Sequence, residues 1–162
     1  MKSIGMSKIG LVRKRNEDRF HIEAPFYIVT DGMGGYKGGE IASTLAADEI
    51  AAYLRHVTEP GTAALKAAIE AANHAVVERV QAEPELKGMG TTAVVAYIVE
   101  DTLYWANVGD SRLYVFSDQA LHQVTTDHSM VQSLYEEGKL EAGDLLEHPQ
   151  RNILTRAVGV AD

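Results

Sequence analysis

The chain has 162 residues, 46% of them hydrophobic, enough for one domain with a sizeable core and short for two. Its 15 Lys+Arg against 23 Asp+Glu leave a formal net charge of -8, which repels polyanions and offers no basic cluster to follow a phosphate backbone, so nucleic acid is excluded as the expected partner. The absence of cysteine excludes a disulfide framework and a thiolate zinc site. With no apolar signal region after Met1-Lys2-Ser3-Ile4-Gly5, and no stretch near the roughly 20 apolar residues that cross a bilayer, the expectation is a soluble cytoplasmic protein with no membrane partner.

Along the chain, Arg19-Phe20-His21-Ile22-Glu23 alternates and Phe26-Tyr27-Ile28-Val29-Thr30 is a compact run of β formers, with the turn pair Ala24-Pro25 between them; a hairpin is expected. Glycines crowd between Gly32 and Gly39, after which Ile41, Ala42, Leu45, Ala46, Ile50, Tyr53 and Leu54 recur at helical spacing, predicting a helix of about 16 residues packed on one face. Pro60-Gly61 closes the next loop. Leu65, Ile69, Ala72, Val76 and Val80 mark a second amphipathic helix that Glu83-Pro84 stops. Short β-rich runs follow at Thr92–Val99, Leu103–Val108, Arg112–Phe116 and Leu121–Val124, and their short connections predict an antiparallel meander. Beyond Thr126 the pattern turns acidic and helical, with Asp127 or Ser129 available as an N-cap. No repeat or interdomain linker interrupts the chain.

Three places carry candidate chemistry. Asp31 ends a buried strand and is followed by Gly32-Met33-Gly34-Gly35, so a carboxylate is presented where the backbone turns sharply and a ligand can come close. Oxygen-only ligation of this kind, with a main-chain carbonyl freed by glycine, suits magnesium or manganese rather than zinc. A capped strand-to-helix turn is the plain alternative. Two nucleotide readings fail. Counting from Gly32 puts Lys37 where a dinucleotide fingerprint needs its third glycine, and no Gly-Lys-Ser/Thr pattern marks a P-loop. A haloacid-dehalogenase-like reading fails as well, because Val29 stands where that chemistry needs a nucleophilic Asp.

Upstream, Arg13-Lys14-Arg15-Asn16-Glu17-Asp18 precedes the first strand, and strand pairing could bring its charges beside Asp31; the alternative is a solvated charged turn. Downstream, Val108-Gly109-Asp110-Ser111-Arg112 puts another Asp at a tight turn, which is also ordinary hairpin chemistry. The order of the motifs is more specific than any one of them. Arg13-x-x-Asn16-Glu17-Asp18, Val29-Thr30-Asp31-Gly32-Met33-Gly34-Gly35, Gly88-Met89-Gly90-Thr91-Thr92 and Val108-Gly109-Asp110-Ser111-Arg112 resemble the successive signatures of the bacterial metal-dependent protein phosphatases of type 2C (the PPM family). Thr126-Asp127-His128-Ser129, His148 to Asn152 and Leu154 to Ala157 resemble the bacterial branch too.

The resemblance implies an α+β fold, a four-layer αββα sandwich of two stacked antiparallel sheets flanked by helices. It implies one domain over 1–162 that lacks the C-terminal part of the family domain, with a flap-like helical segment at 126–152 beside the active site. It implies hydrolysis of phosphoserine and phosphothreonine on proteins by a metal-activated water, with two Mn2+ or Mg2+ ions and a third, weaker site. Asp31 matches the catalytic carboxylate that bridges both metals, Gly32 the residue whose carbonyl binds one, Asp18 a carboxylate near the pair and Asp110 a carboxylate linked to the third ion. Glu17 matches a neighbour outside the ligand shell, and Arg13 the residue that binds substrate phosphate. The implied partners are phosphorylated proteins, namely the targets of a bacterial serine/threonine kinase and the kinase itself. Two departures stand against the pattern. Tyr36 replaces a histidine common after the Gly-Gly pair, so no acid role carries over to it. The Asp-Gly and Asp-Asn motifs that complete the family's metal sites are also missing. A second reading follows, a catalytically incomplete phosphatase fragment that self-associates or binds a partner through uncovered sheet edges.

Overall fold

In the computed structural model, which describes residues 2–35 and 37–160, strand alternation decides which side chains are covered. The predicted hairpin forms: β1 (Asp18–Glu23) pairs antiparallel with β2 (Phe26–Met33) from Asp18↔Asp31 to Glu23↔Phe26. The other edge of β2 pairs with β4 (Ala93–Val99) from Phe26↔Tyr97 to Val29↔Val94. Further along, its end pairs with the two-residue β3 (Gly90–Thr91) through Gly32↔Thr91. β5 (Thr102–Val108) pairs with β4, giving the order β1-β2-β4-β5 with β3 beside β2.

The two long helices appear where the spacing placed them, as α1 (Gly38–Leu54) and α2 (Thr62–Ala82). Alanines at 42, 46, 68 and 72 are fully buried, so the helices approach each other closely. Ile50, Leu54, Leu65 and Val76 fill the space against Phe26, Ile28, Val95 and Tyr97 of the sheet. At the far end of α1, Arg55 donates two hydrogen bonds from Nε and Nη2 to the Glu23 carboxylate, pinning β1 to the helix. The guanidinium, and then the His21 ring, hold the Glu23 carboxyl down at about 2.

The later strands depart from the expected meander. β4–β5 and β6 (Tyr114–Ser117) with β7 (Ala120–Gln123) are two hairpins in separate sheets. The chain leaves the large sheet after Val108 because residues 109–113 bond to the returning segment instead. Leu113 N donates to Thr125 Oγ1, Val124 N to the Leu113 carbonyl and His128 N to the Gly109 carbonyl. In the flap-like segment only α3 (Met130–Glu136) is α-helical, with Ser129 as the N-cap accepting from Gln132 N. Gly138, Gly143 and Pro149 break the pattern, and hydrogen-bonded turns through Asp144 and His148 replace it. The chain then returns to the large sheet, where Val158 and Thr91 exchange two main-chain hydrogen bonds. Two antiparallel sheets with α1 and α2 packed on the larger one give the expected α+β class.

The helices cover one face of the large sheet. On β2, Phe26, Ile28 and Thr30 point into the core while Val29 is 48% exposed. Phe20 and Ile22, partners of Val29 and Tyr27 on β1, lie on the opposite face, where Gly5 of the N-terminal segment packs against them, and Asp18 and Asp31 end it. The two faces should respond differently to truncation. Phe26→Ala is expected to lower unfolding stability by about 3–5 kcal/mol through lost burial and a cavity, whereas Val29→Ala, three residues away, should cost under about 1 kcal/mol. Urea unfolding of the two variants checks this, and equal losses would contradict the assignment of faces.

Candidate functional site

Asp18 and Asp31 meet because they are opposite residues in the β1–β2 ladder, and side chains of an opposed pair stand on the same face. The main chain of Asp31 is held tightly. Its N–H donates to Thr92 Oγ1 at 3.0 Å, and its carbonyl accepts from Thr92 N at 2.9 Å and from the Thr91 hydroxyl at 3.0 Å. Gly32 is required for a different reason. A Cβ there would lie 2.0 Å from the Gly39 carbonyl oxygen, so only glycine lets the start of α1 rest on the end of β2. Glu17 fills the remaining corner. Its carbonyl accepts from Gly32 N, and its carboxylate lies where a Cβ on Gly39 would stand 2.6 Å away.

Asp18 is oriented from the preceding loop. Its N–H donates to Asn16 Oδ1 at 3.0 Å, Asn16 Nδ2 donates to the Ser7 hydroxyl, and that hydroxyl donates to Asp18 Oδ2 at 3.3 Å. Arg19 reaches from the Asp18 carbonyl to Glu40 in the first turn of α1. Asp110 stands in the turn after β5, and Arg13 in an exposed loop.

The ladder sets the Asp18 side chain beside Asp31, and the charges of Asp110 and Arg13 also reach its carboxyl. Its carboxyl is pushed up to about 6, first because its surroundings are partly desolvated, then by the Asp18 carboxylate and by Asp110, with Arg13 pulling the other way. Crowded carboxylates of this kind resist ionising together and are the oxygen donor set that a hard divalent cation relieves. Among the described residues no group of three His, Asp or Glu side chains is close enough to form a complete ligand set by itself. The donors fit part of a cation's shell, with the balance left to main-chain carbonyls, water or other groups. Tyr36 lies outside the described residues.

Several residues that hold this geometry were not singled out from sequence. Thr92 Oγ1 and Ser111 Oγ are 2.7 Å apart. His128 Nδ1 accepts from Gly109 N at 3.2 Å. Burial, and then the charge of Arg156, hold that imidazole below its usual pKa, in the neutral form that can accept. Arg112 forks onto both oxygens of Asp127, with Nε to Oδ1 at 2.9 Å and Nη2 to Oδ2 at 2.6 Å. The sequence signal for Thr92 and Ser111 was present, since hydroxyl residues at a buried strand start and beside a Gly-Asp turn need partners. Their identity as each other's partner depends on the fold.

A family model described as Protein phosphatase 2C matches residues 4–135. Over 154 residues the chain is 40% identical to the serine/threonine protein phosphatase PstP of Mycobacterium tuberculosis, covering 92% of this chain and 29% of that protein. Over 161 residues it is 37% identical to the serine/threonine phosphatase stp of Listeria monocytogenes, covering 93% of this chain and 64% of that one. The crystal structure of the PstP catalytic domain in complex with two manganese ions superposes with a TM-score of 0.81 at 37% identity, over 93% of this chain and 63% of that chain. The chain thus spans less than two thirds of each of these three relatives.

Because the Asp31 carboxyl is raised above its unfolded value, folding favours its neutral form, and the advantage is lost as pH climbs from about 4 through about 6. At pH 7, with a chelator present, Asp31→Asn is expected to stabilise the chain by on the order of 1 kcal/mol after allowance for solvent screening. Below pH 4 the difference should vanish. Thermal unfolding of both proteins across this range checks the sign, and a destabilised variant at pH 7 would contradict the crowding.

Proposed function

The chain belongs to the protein phosphatase 2C family, and on that premise we propose that it hydrolyses phosphoserine and phosphothreonine esters on proteins with the help of divalent cations. The observation that carries the proposal is the opposed Asp18–Asp31 pair at one end of the sheet face that α1 and α2 leave free, with the charges of Asp110 and Arg13 acting on Asp31. Asp31 would hold two ions jointly, with the Gly32 carbonyl and Asp18 beside it and Asp110 toward a third, weaker site. A relative's complex with two manganese ions supports Mn2+ or Mg2+ in that role. When bound, such ions supply Lewis-acid activation of water and neutralise charge on a reacting phosphoryl group.

The chain's own residues orient and recognise. The Arg13 guanidinium offers paired donors to a substrate phosphate, a geometry that a lysine cannot reproduce. The Thr91 and Thr92 bonds keep the Asp31 main chain from shifting, and the Ser7–Asn16 pair fixes the Asp18 carboxylate. Glu17 would support the Gly32–Gly39 contact from outside the ligand shell, its carboxylate lying against Gly39. Without cysteine a thiolate nucleophile is excluded, in keeping with direct attack by water. Residues 126–152 would shape substrate choice from beside the Asp110 turn. Phosphorylated proteins, including a bacterial serine/threonine kinase and its targets, are the partners this reading names. No helix among the described residues is long and apolar enough to cross a membrane, and a cytoplasmic setting accords with such substrates.

A second reading rests on the sheet face opposite the helices, where Phe20, Ile22 and Val29 stay partly exposed beside the N-terminal segment. An apolar sheet face of this kind can bind a second copy or a partner without catalysis. Hydrolysis of p-nitrophenyl phosphate separates the two. Turnover that requires added Mn2+ and falls by roughly 10³-fold in Asp31→Ala, equivalent to about 4 kcal/mol of barrier, is the expected result. Turnover at the level of the metal-free blank, together with concentration-dependent oligomerisation in sedimentation, would favour the second reading.

A further inference from the structure

We infer that Thr92 and Ser111 are positioning residues whose hydroxyl-to-hydroxyl bond sets the separation between the Asp31 and Asp110 carboxylates. The inference deepens the phosphatase reading and rests on it in taking Asp31 and Asp110 as members of one cation site.

Thr92 is 2% exposed and is bound to both sides of the Asp31 peptide, its hydroxyl accepting from Asp31 N and its own N–H donating to the Asp31 carbonyl. The same hydroxyl lies 2.7 Å from Ser111 Oγ, one residue past Asp110. One buried oxygen therefore touches the main chain of one carboxylate and the turn that carries the other. The Thr92 methyl contributes separately. Gly109 has φ +98°, and a Cβ there would lie 2.6 Å from Thr92 Cγ2, so the methyl packs directly under the turn. From the opposite side His128 grips Gly109 through both its ring nitrogen and its main-chain N–H. The Asp110 turn is thus held between Thr92 and the segment that leads into α3, and the Thr92–Ser111 bond ties it to the Asp31 side.

Two substitutions separate the hydroxyl from the methyl. Thr92→Val keeps the shape and loses the oxygen, whereas Thr92→Ser keeps the oxygen and loses the methyl. A residue that only packs would tolerate valine and suffer from serine, and the proposed link predicts the reverse. Amide hydrogen exchange of the metal-free chain reads the link directly. In Thr92→Val, exchange at Asp31 and at 109–112 should quicken roughly tenfold, the scale of one net hydrogen bond, while Val95 and Ala106 in the β4–β5 ladder stay unchanged. Thr92→Ser should remain within about twofold of the native chain, and Ser111→Ala should loosen 109–112 as valine does. Mn2+ affinity measured by calorimetry should fall roughly tenfold in Thr92→Val and in Ser111→Ala and hold in Thr92→Ser. Native exchange at 109–112 in both Thr92→Val and Ser111→Ala, or a serine variant as loose as the valine one, would overturn the link. A native chain that shows the exchange pattern but binds no Mn2+ would support the link and contradict the cation reading instead.

Discussion

Everything at the candidate site depends on the close approach of Gly32 to Gly39. With 2.0 Å between a hypothetical Cβ at 32 and the Gly39 carbonyl, no side chain fits at that contact. Because it is closed by backbone alone, α1 begins directly against the end of β2. Asp31 is then left near the end of β2, facing away from the core, opposite Asp18 and with its peptide clamped by Thr91 and Thr92. The helices behind the sheet serve the same end. Buried alanines and the Phe26–Ile28–Val95–Tyr97 layer make a rigid floor, so a carboxylate on the far face is placed by the fold instead of by its own flexible side chain.

That placement works against stability. Carboxylates are gathered where solvent is partly removed, and the Asp31 carboxyl is raised accordingly. A fold selected only for stability would separate such charges or neutralise them. Elsewhere the same chain does so. Glu23 is matched by Arg55, Arg112 by Asp127 and Arg19 by Glu40, each at a place where two elements meet. The contrast between these satisfied pairs and the crowded Asp18–Asp31 rung distinguishes a structural charge from one kept for a ligand.

Much of this was legible in the residues. The hairpin, both long helices and all four later strands lie within a few positions of their predicted places, because apolar alternation and helical spacing are strong over those segments. The order of the Asp-bearing motifs, through their resemblance to the type 2C signatures, is what groups Asp18, Asp31 and Asp110 at the level of sequence. The pairing of the later strands was not legible, because short connections fit one meander as well as two hairpins. What decides it is the bonding of 109–113 to 124–128, a contact between segments that are separate in sequence. The flap-like segment was over-read as helix, since acidic residues with scattered leucines imitate an amphipathic pattern that Gly138, Gly143 and Pro149 interrupt. The Thr92–Ser111 bond was hidden for the most general reason. Hydroxyl residues have no periodicity, and their partners exist only once two strands and a turn are assembled.

The central claim is that the opposed Asp18 and Asp31 carboxylates, with Asp110 near enough for its charge to act on Asp31, mark where a divalent cation binds. Substoichiometric Mn2+ added to the isotope-labelled chain, followed by paramagnetic broadening of its amide resonances, tests this most directly. The account predicts that Asp18, Asp31, Gly32 and Asp110 broaden first and together, ahead of the acidic stretch from Glu136 to Glu147. Broadening that begins in that stretch, or that reaches Asp31 without Asp18 and Asp110, would contradict it.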